Sequence, residues 1–137
     1  MKTFYTGMNI AFAFVKEGLE SFLGGCDGLM YALISFIILD FLSGIICAIF
    51  SKSLSSEVMV REIGRKVLIL ALVGVGHILD AQVLGLDGVL RSVIGVFYLS
   101  TEGLSIVEHA TNLGLPVPIK LKAILEQLHD HTDKDLE

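Results

Sequence analysis

The sequence predicts an all-α integral membrane protein with three transmembrane helices, an N-terminal interfacial helix and a C-terminal amphipathic helix. Of its 137 residues, 53% are hydrophobic and only 18% are charged, whereas a soluble domain of this size has about a quarter of its residues charged. The mean hydropathy is +0.75, and the apolar residues form long runs separated by short polar breaks. These runs lack the alternation that a transmembrane β-barrel requires, so helices are the predicted spanning elements.

Three segments are long enough to cross a bilayer. The hydrocarbon core is about 30 Å thick and needs about 20 apolar residues in a helix. Residues 28–50 and 67–86 meet this requirement with few charges, and residues 89–110 meet it with several ionisable side chains. We therefore predict three spans within a transmembrane core of residues 28–114.

Capping and turn residues divide these segments. Ser55 or Ser56 is suited to cap a helix that begins near Glu57 and runs unbroken into the second span. The tight turn at 86–88 predicts that the second and third spans form an antiparallel hairpin. Gly114 and the prolines that follow it end the third helix.

The two ends of the chain differ from the core. Within residues 1–27, the apolar segment 8–15 is short and Lys16 follows it at once, which favours an interfacial amphipathic helix; a fourth span and a signal peptide are the alternatives. Residues 115–137 have apolar residues at helical spacing followed by a polar tail, which predicts an amphipathic helix in that tail. We treat residues 1–137 as one membrane domain.

The distribution of charge predicts the orientation. Lys and Arg in short loops concentrate on the cytoplasmic side of a membrane. With three spans, the loop 51–66 and the tail after residue 111 share one side and together hold seven Lys and Arg residues, against three on the other side. This predicts a cytoplasmic C-terminus. The net charge of −5 opposes nucleic acid as a partner.

Polar side chains within the apolar segments are the candidate functional residues, because an ionisable group at bilayer depth costs about 3 kcal/mol or more. The third span has a polar stripe along one face for about five turns, and its residues are Arg91, Gly95, Tyr98, Glu102, Ser105 and His109. The candidate pore-lining or intramembrane polar residues are Asp40, His77, Asp80, Arg91, Tyr98, Glu102 and Ser105. Two interpretations stay open. One is pairing inside a single subunit, with Asp40 against Arg91 or His77, and the other is a stripe that faces water in an oligomer.

Small residues on these spans predict close helix packing, within one chain or between copies. The candidates are Gly44, Gly74 and Gly76. His77 and Asp80 have the spacing of half a metal site, but no second pair completes it, so we predict neither a metal nor a cofactor. The motifs of nucleotide-binding loops, nucleophile elbows and zinc proteases do not occur, and we predict no catalytic residues and no enzymatic activity.

Three segments in a characteristic order provide the strongest indication of function. They are residues 39–46 (LDFLSGII), 65–80, and 97–108 (FYLSTEGLSIVE) followed by GLPVP. Together they resemble the phage-lysis and toxin-secretion holin family of Gram-positive bacteria and their phages, over most of the chain.

The resemblance implies a multi-pass holin of the bacterial cytoplasmic membrane, without active site or cofactor. Such proteins form homo-oligomers in the lipid bilayer and open lesions through which an endolysin leaves during bacteriophage host-cell lysis, or through which a toxin is secreted. We expect a water-facing role for Arg91, Tyr98, Glu102 and Ser105. We expect Asp40, His77 and Asp80 to hold the helices in a closed or open arrangement. The alternative function is a small membrane scaffold or regulator, or a narrow ion channel without a protein-sized pore.

Overall fold

The computed structural model describes residues 1–136, and within that range the chain forms five helices joined by short loops. They are α1 (Lys2–Leu23), α2 (Gly28–Phe50), α3 (Ser56–Ile78, continued by a π-helical segment Leu79–Leu84), α4 (Val89–Asn112) and α5 (Ile119–Leu136). Three of them, namely α2, α3 with its continuation, and α4, are long and apolar enough to cross a membrane. The predicted all-helical fold with three candidate spans is confirmed.

The apolar core lies between α2, α3 and α4, with the partly buried Ile94, Tyr98 and Leu99 of α4 packed against it. Met30, Leu33 and Ile37 come at helical spacing on one face of α2 and pack against Ile69 and Val73 of α3. The remaining faces of the candidate spans expose large apolar side chains, which in a soluble protein would be an aggregation hazard. In a bilayer these faces meet hydrocarbon at little cost, because lipid tails are as apolar as the side chains.

The starts of α2 and α3 follow from side-chain caps. The Asp27 carboxylate accepts a hydrogen bond from the backbone N–H of Met30 at 3.0 Å, and the Ser55 hydroxyl accepts one from the N–H of Val58 at 3.2 Å. Each cap satisfies an N–H group that has no partner inside its helix. The predicted cap at Ser55 or Ser56 is confirmed, with Ser55 in that position.

The connection between α3 and α4 contains an element that the sequence did not predict. After Ile78 the helix widens into the π-helical segment Leu79–Leu84, and Gly85 ends it in the left-handed conformation with φ 63°. Residues 85–88 then lead into α4. The π-helix is rare and has no sequence pattern of its own, which is why periodicity did not predict it.

The N-terminal helix α1 packs along α3 and buries none of its own residues. The ring of Phe22 lies directly on Gly74. Further along, Phe12 and Leu19 line an apolar cavity of about 490 Å³ together with Val67 and other residues of α2 and α3. The contact between α1 and the spans is therefore narrow and depends on the missing side chain of Gly74.

The C-terminal helix α5 runs back along α4. Leu125 is buried against Gly103, and the ring of His129 stacks on Phe97 with the centroids 4.9 Å apart. These contacts place the middle of α5 beside the middle of α4.

Replacing Gly74 by Ala is expected to release α1 from α3, because the added Cβ would overlap the Phe22 ring. Overpacking of this kind costs about 1–3 kcal/mol, and we expect faster amide hydrogen exchange in α1 in detergent micelles. Gly64→Ala is the matched control in the same helix, since nothing lies within 4 Å of its added Cβ. Adding Phe22→Ala to Gly74→Ala should restore space. Equal exchange in the two alanine variants would contradict the proposed contact.

Candidate functional site

A buried ionic cluster joins the three candidate spans. The Nζ atom of Lys66 donates hydrogen bonds to Oδ2 of Asp40 at 2.6 Å and to Oε2 of Glu102 at 2.8 Å. The exposed fractions of the three side chains are 7%, 7% and 1%, respectively. Each side chain comes from a different span, so one ammonium group holds α2, α3 and α4 together.

The cluster lies near the middle of the spans. Asp40 and Glu102 are roughly 15–20 Å from either end of their helices at the helical rise of about 1.5 Å per residue. Charges at such depth are costly unless they are paired and hydrogen-bonded. The cluster therefore fixes both the rotation and the vertical register of the three helices, since a shift of any one would leave a charge unpaired.

His109 of α4 extends the cluster toward the C-terminal end of α2. Its Nδ1 atom lies 3.4 Å from Oδ1 of Asp40 and 2.7 Å from the hydroxyl of Ser43, while Cys47 donates from Sγ to the His109 carbonyl at 3.3 Å. A Ser-His-Asp catalytic triad uses the two different ring nitrogens for Ser and Asp. Here both side chains approach the same nitrogen, so the arrangement is not that of a triad.

A cavity of about 260 Å³ lies beside the cluster and is lined by Asp40, Glu62, Ser105 and His109 among other residues. Within the described part of the chain, Oδ1 of Asp40 and Oε1 of Glu102 accept no hydrogen bond although both are buried. The cavity has room for several water molecules at about 30 Å³ each. Asp40 thus has polar surroundings on one side and the Lys66 ion pair on the other.

A second polar cluster is centred on Arg91 at the beginning of α4. Its guanidinium donates to the carboxylate of Asp27 at 2.7 and 3.2 Å, to the carbonyl of Gly25 at 2.9 Å and to the carbonyl of Leu23. Arg91 thereby ties the end of α1 and the start of α2 to α4. The Arg91 hydrogen bond, followed by the N–H of Met30, holds the pKa of the Asp27 carboxyl below its usual range.

Asp80 caps α4 from the preceding helix. Its two carboxylate oxygens accept from the backbone N–H groups of Leu90 at 3.1 Å and Arg91 at 2.9 Å, and its exposed fraction is 1%. Gly88, at the N-cap position of α4, has no side chain to do this. The negative charge also complements the positive end of the helix dipole.

The other polar residues singled out from the sequence lie at helix contacts. His77 is half-buried next to Gly24, whose added Cβ would lie 2.7 Å from the His77 Nδ1 atom. Tyr98 is half-buried and makes an edge-to-face contact with Phe97 at 5.0 Å. Ser105, also half-buried, lines the cavity beside Asp40.

The glycines selected for helix packing have close neighbours within their own chain. An added Cβ at Gly44 would lie 3.3 Å from Cε1 of His109, and one at Gly76 would lie 3.2 Å from the backbone nitrogen of Arg91. Gly74 lies under Phe22, as described above. A role for these glycines between copies stays a prediction.

The expected partners of Asp40 were wrong. Asp40 forms its ion pair with Lys66 and lies next to His109, and its partner is neither Arg91 nor His77. The charge count assigns Lys66 to the loop 51–66 because it precedes the apolar segment. The helix begins at Ser56, in agreement with the predicted serine cap and unbroken helix, so Lys66 lies about 15 Å inside it. The length of helix before Lys66 is the sequence signal that places this residue within the span.

The polar stripe of α4 faces inward in the single chain. Arg91 and Glu102 are 6% and 1% exposed, and their partners come from other helices of the same chain. A water-facing role for this stripe stays a prediction. Within residues 1–136, no group of three or more His, Cys, Asp or Glu side chains is arranged to hold a metal ion.

Comparison with known proteins assigns the chain that contains these clusters to a family. The sequence profile of the bacteriophage holin family matches residues 17–130. The chain belongs to the bacteriophage holin family. The resemblance noted from the sequence is thereby confirmed, and the match includes all three candidate spans and both polar clusters of this holin-family protein.

Individual relatives of this holin-family protein are similar over most of their length. An uncharacterised 14.9 kDa protein from the nagH 3′ region of Clostridium perfringens is 39% identical over 124 residues, which is 85% of this chain and 94% of the relative. An uncharacterised protein of Listeria monocytogenes is 34% identical over 102 residues, 74% of this chain and 72% of that protein. A probable holin of Bacillus phage phi105 is 31% identical over 100 residues, 73% of each chain. No solved structure matches the chain.

Replacing Lys66 by Met should strongly destabilise the bundle, because two carboxylates stay buried without a cation. Breaking a buried ion pair in this way costs about 3–5 kcal/mol, and we expect a lower midpoint of unfolding in detergent, followed by circular dichroism. Arg65→Met is the matched control, since the side chain of Arg65 is 56% exposed. Adding Asp40→Asn and Glu102→Gln to Lys66→Met should recover part of the loss. A Lys66→Met protein as stable as Arg65→Met would contradict a structural role for the cluster.

The Arg91 cluster predicts a dependence of stability on pH. Because the pKa of Asp27 is lowered by folding, its ionised form stabilises the native state above the usual carboxyl pKa of about 4. This contribution is lost as the pH falls through the lowered pKa. Asp27→Asn keeps a side chain able to cap α2 and removes the charge, so its thermal midpoint should lie below the wild-type value at pH 7. The two midpoints should converge in acid.

Asp87→Asn provides the control for Asp27→Asn. Asp87 is exposed in the turn before α4, and its replacement should leave the thermal midpoint unchanged at every pH. A constant difference between wild type and Asp27→Asn from pH 7 into acid would rule out the ionised pair as its cause.

Proposed function

We propose that this protein acts as a holin, which assembles into homo-oligomers in the bacterial cytoplasmic membrane and opens lesions for a cytoplasmic protein to leave. The observation that supports this most is the holin-family match over residues 17–130, since that segment includes the three candidate spans. The probable holin of a Bacillus phage among the relatives supports the same function.

The packing of the single chain supports a lesion formed between copies. Apart from the cavity of about 260 Å³ beside Asp40, the space between α2, α3 and α4 is occupied by the apolar core and the Lys66 cluster. A channel for a folded protein has no room inside such a unit. We therefore propose that the lesion forms where several copies meet, with the apolar outer faces of the spans turned to lipid.

The proposed topology has three crossings by the apolar helices, with α3 and α4 as an antiparallel hairpin and the connection between α4 and α5 in the cytoplasm. Removing the buried Lys66 from the basic residues of the cytoplasmic side leaves six there against three outside, so the predicted orientation is unchanged. For α1 we propose an interfacial position before assembly. This is supported by its exposed Lys16 and Glu17 and by its narrow contact with the spans.

We propose a peptidoglycan-cleaving endolysin as the exported protein, and a protein toxin as the counterpart in secretion. Both are folded proteins, so both require a wide lesion. No active site or cofactor is needed for this function, because the work is done by assembly in the lipid bilayer.

Induced expression together with a cytoplasmic endolysin that lacks a signal sequence should produce abrupt lysis after a delay. The physical reason is that only a protein-sized lesion lets the enzyme reach the cell wall. Turbidity, membrane potential and release of the endolysin into the medium are measured together. Cells that express either protein alone, with membrane accumulation verified by immunoblot, are the controls.

The other outcomes distinguish the alternative functions. Depolarisation without release of the endolysin would indicate a narrow ion channel and contradict the proposal. Unchanged growth and potential with the protein present in the membrane would indicate a scaffold or regulator.

A further inference from the structure

The C-terminal helix α5 lies beside α4 at the depth of the spans. A Cβ added at Gly103 would lie 2.8 Å from Cδ2 of Leu125. The Nδ1 atom of His129 lies 3.4 Å from the hydroxyl of Ser100 and 3.3 Å from that of Thr101. Ser100 to Gly103 is the middle of α4, at the level of the Lys66 cluster, so α5 occupies bilayer depth.

One exposed face of α5 is charged at that depth, while the exposed Leu121, Ile124 and Leu128 lie on another face. Residues at intervals of four lie on one face of a helix, and here they are Lys122, Glu126, Asp130 and Lys134, all exposed. Lys122 and Glu126 lie 3.9 Å apart with side chains 60% and 53% exposed. A row of charges is costly in hydrocarbon, so this face requires water.

The outer faces of the spans α2 and α3 are apolar, in contrast to the charged face of α5. They expose large apolar side chains such as Leu42, Ile46, Leu68 and Leu72, which suit lipid. The polar stripe of α4 is turned into the bundle and covered by other helices. On the side of α4 that α5 covers, the surface exposed to water is therefore the charged face of α5.

From this arrangement we infer that α5 forms the water-facing wall of the lesion, with the row Lys122, Glu126, Asp130 and Lys134 exposed to the lumen and α4 behind it. The inference rests on the proposed holin function and specifies which surface lines the opening. It replaces the α4 stripe in that role. It also requires α5 to stay docked on α4 when the lesion is open.

Thiol reactivity tests the position of α5. In a background with Cys26→Ser and Cys47→Ser, the second of which keeps a donor for the His109 carbonyl, single cysteines are introduced at Glu126, Leu125 and Leu72. Membranes in which the lesions have opened are then treated with a charged thiol reagent. Because the thiolate is the reactive form and needs water, Glu126→Cys should react about tenfold faster than the other two. Equal rates at 125 and 126 would show α5 undocked and overturn the inference. A Glu126→Cys as slow as Leu72→Cys would place that face in lipid and overturn it as well.

Cross-linking tests whether α5 stays in place. The pair Gly103→Cys and Leu125→Cys, and as a second pair Thr101→Cys and His129→Cys, should form disulfides on oxidation in the membrane. Lysis should then occur with the delay of the cysteine-free protein. If lysis is lost on oxidation and recovered with a reductant, α5 has to leave α4, and the inference is wrong. Failure of both pairs to cross-link in membranes would also overturn it.

The controls separate this inference from the proposed function. The cysteine-free protein, treated with the same oxidant, has to release the endolysin. Its failure to do so would contradict the holin function itself. Release by the cysteine-free protein with failure of the locked pairs would contradict only the placement of α5.

Discussion

The hydrogen bonds of Lys66 to Asp40 and Glu102 are the interaction on which the rest of the structure depends. In water, burial of apolar faces drives helices together, but lipid offers those faces an equally apolar environment. The small apolar core between the three spans therefore gives close packing without a strong preference for one register. A cation shared by two carboxylates from different helices supplies that preference, because every other arrangement leaves a charge in hydrocarbon.

The ends of the spans are set by a second group of polar contacts. Asp80 binds the first N–H groups of α4, and Arg91 holds the linker between α1 and α2. Arg91 takes part in both sets of contacts, because its backbone N–H donates to Asp80 and its side chain binds Asp27. The loops 24–27 and 85–88 are thus coupled to one another through Arg91, and the three spans are coupled at mid-depth through Lys66.

Much of the fold follows from the sequence because bilayer thickness constrains it. The lengths of the apolar segments predicted three spans, and a serine cap predicted the start of α3. The partner of Asp40 did not follow, because the apolar segment begins only after Lys66, and the charge count therefore assigns this residue to the loop although the predicted helix runs through it. The docking of α5 on α4 could not be predicted from the sequence either. Its periodicity predicts an amphipathic helix, but the fit of Leu125 over Gly103 is a matter of tertiary shape.

The shared ammonium also affects the biogenesis of the protein. Of the three spans the ribosome delivers α2 first, so Asp40 enters the insertion machinery before Lys66 can reach it. Lys66 follows with α3, and Glu102 arrives only when α4 is nearly complete. A helix released alone would enter the lipid with an unpaired charge. If the three helices are released together, Lys66 is already paired with Asp40 and Glu102. The chain is therefore suited to insertion as one unit, with its spans kept together until the last of them is synthesised.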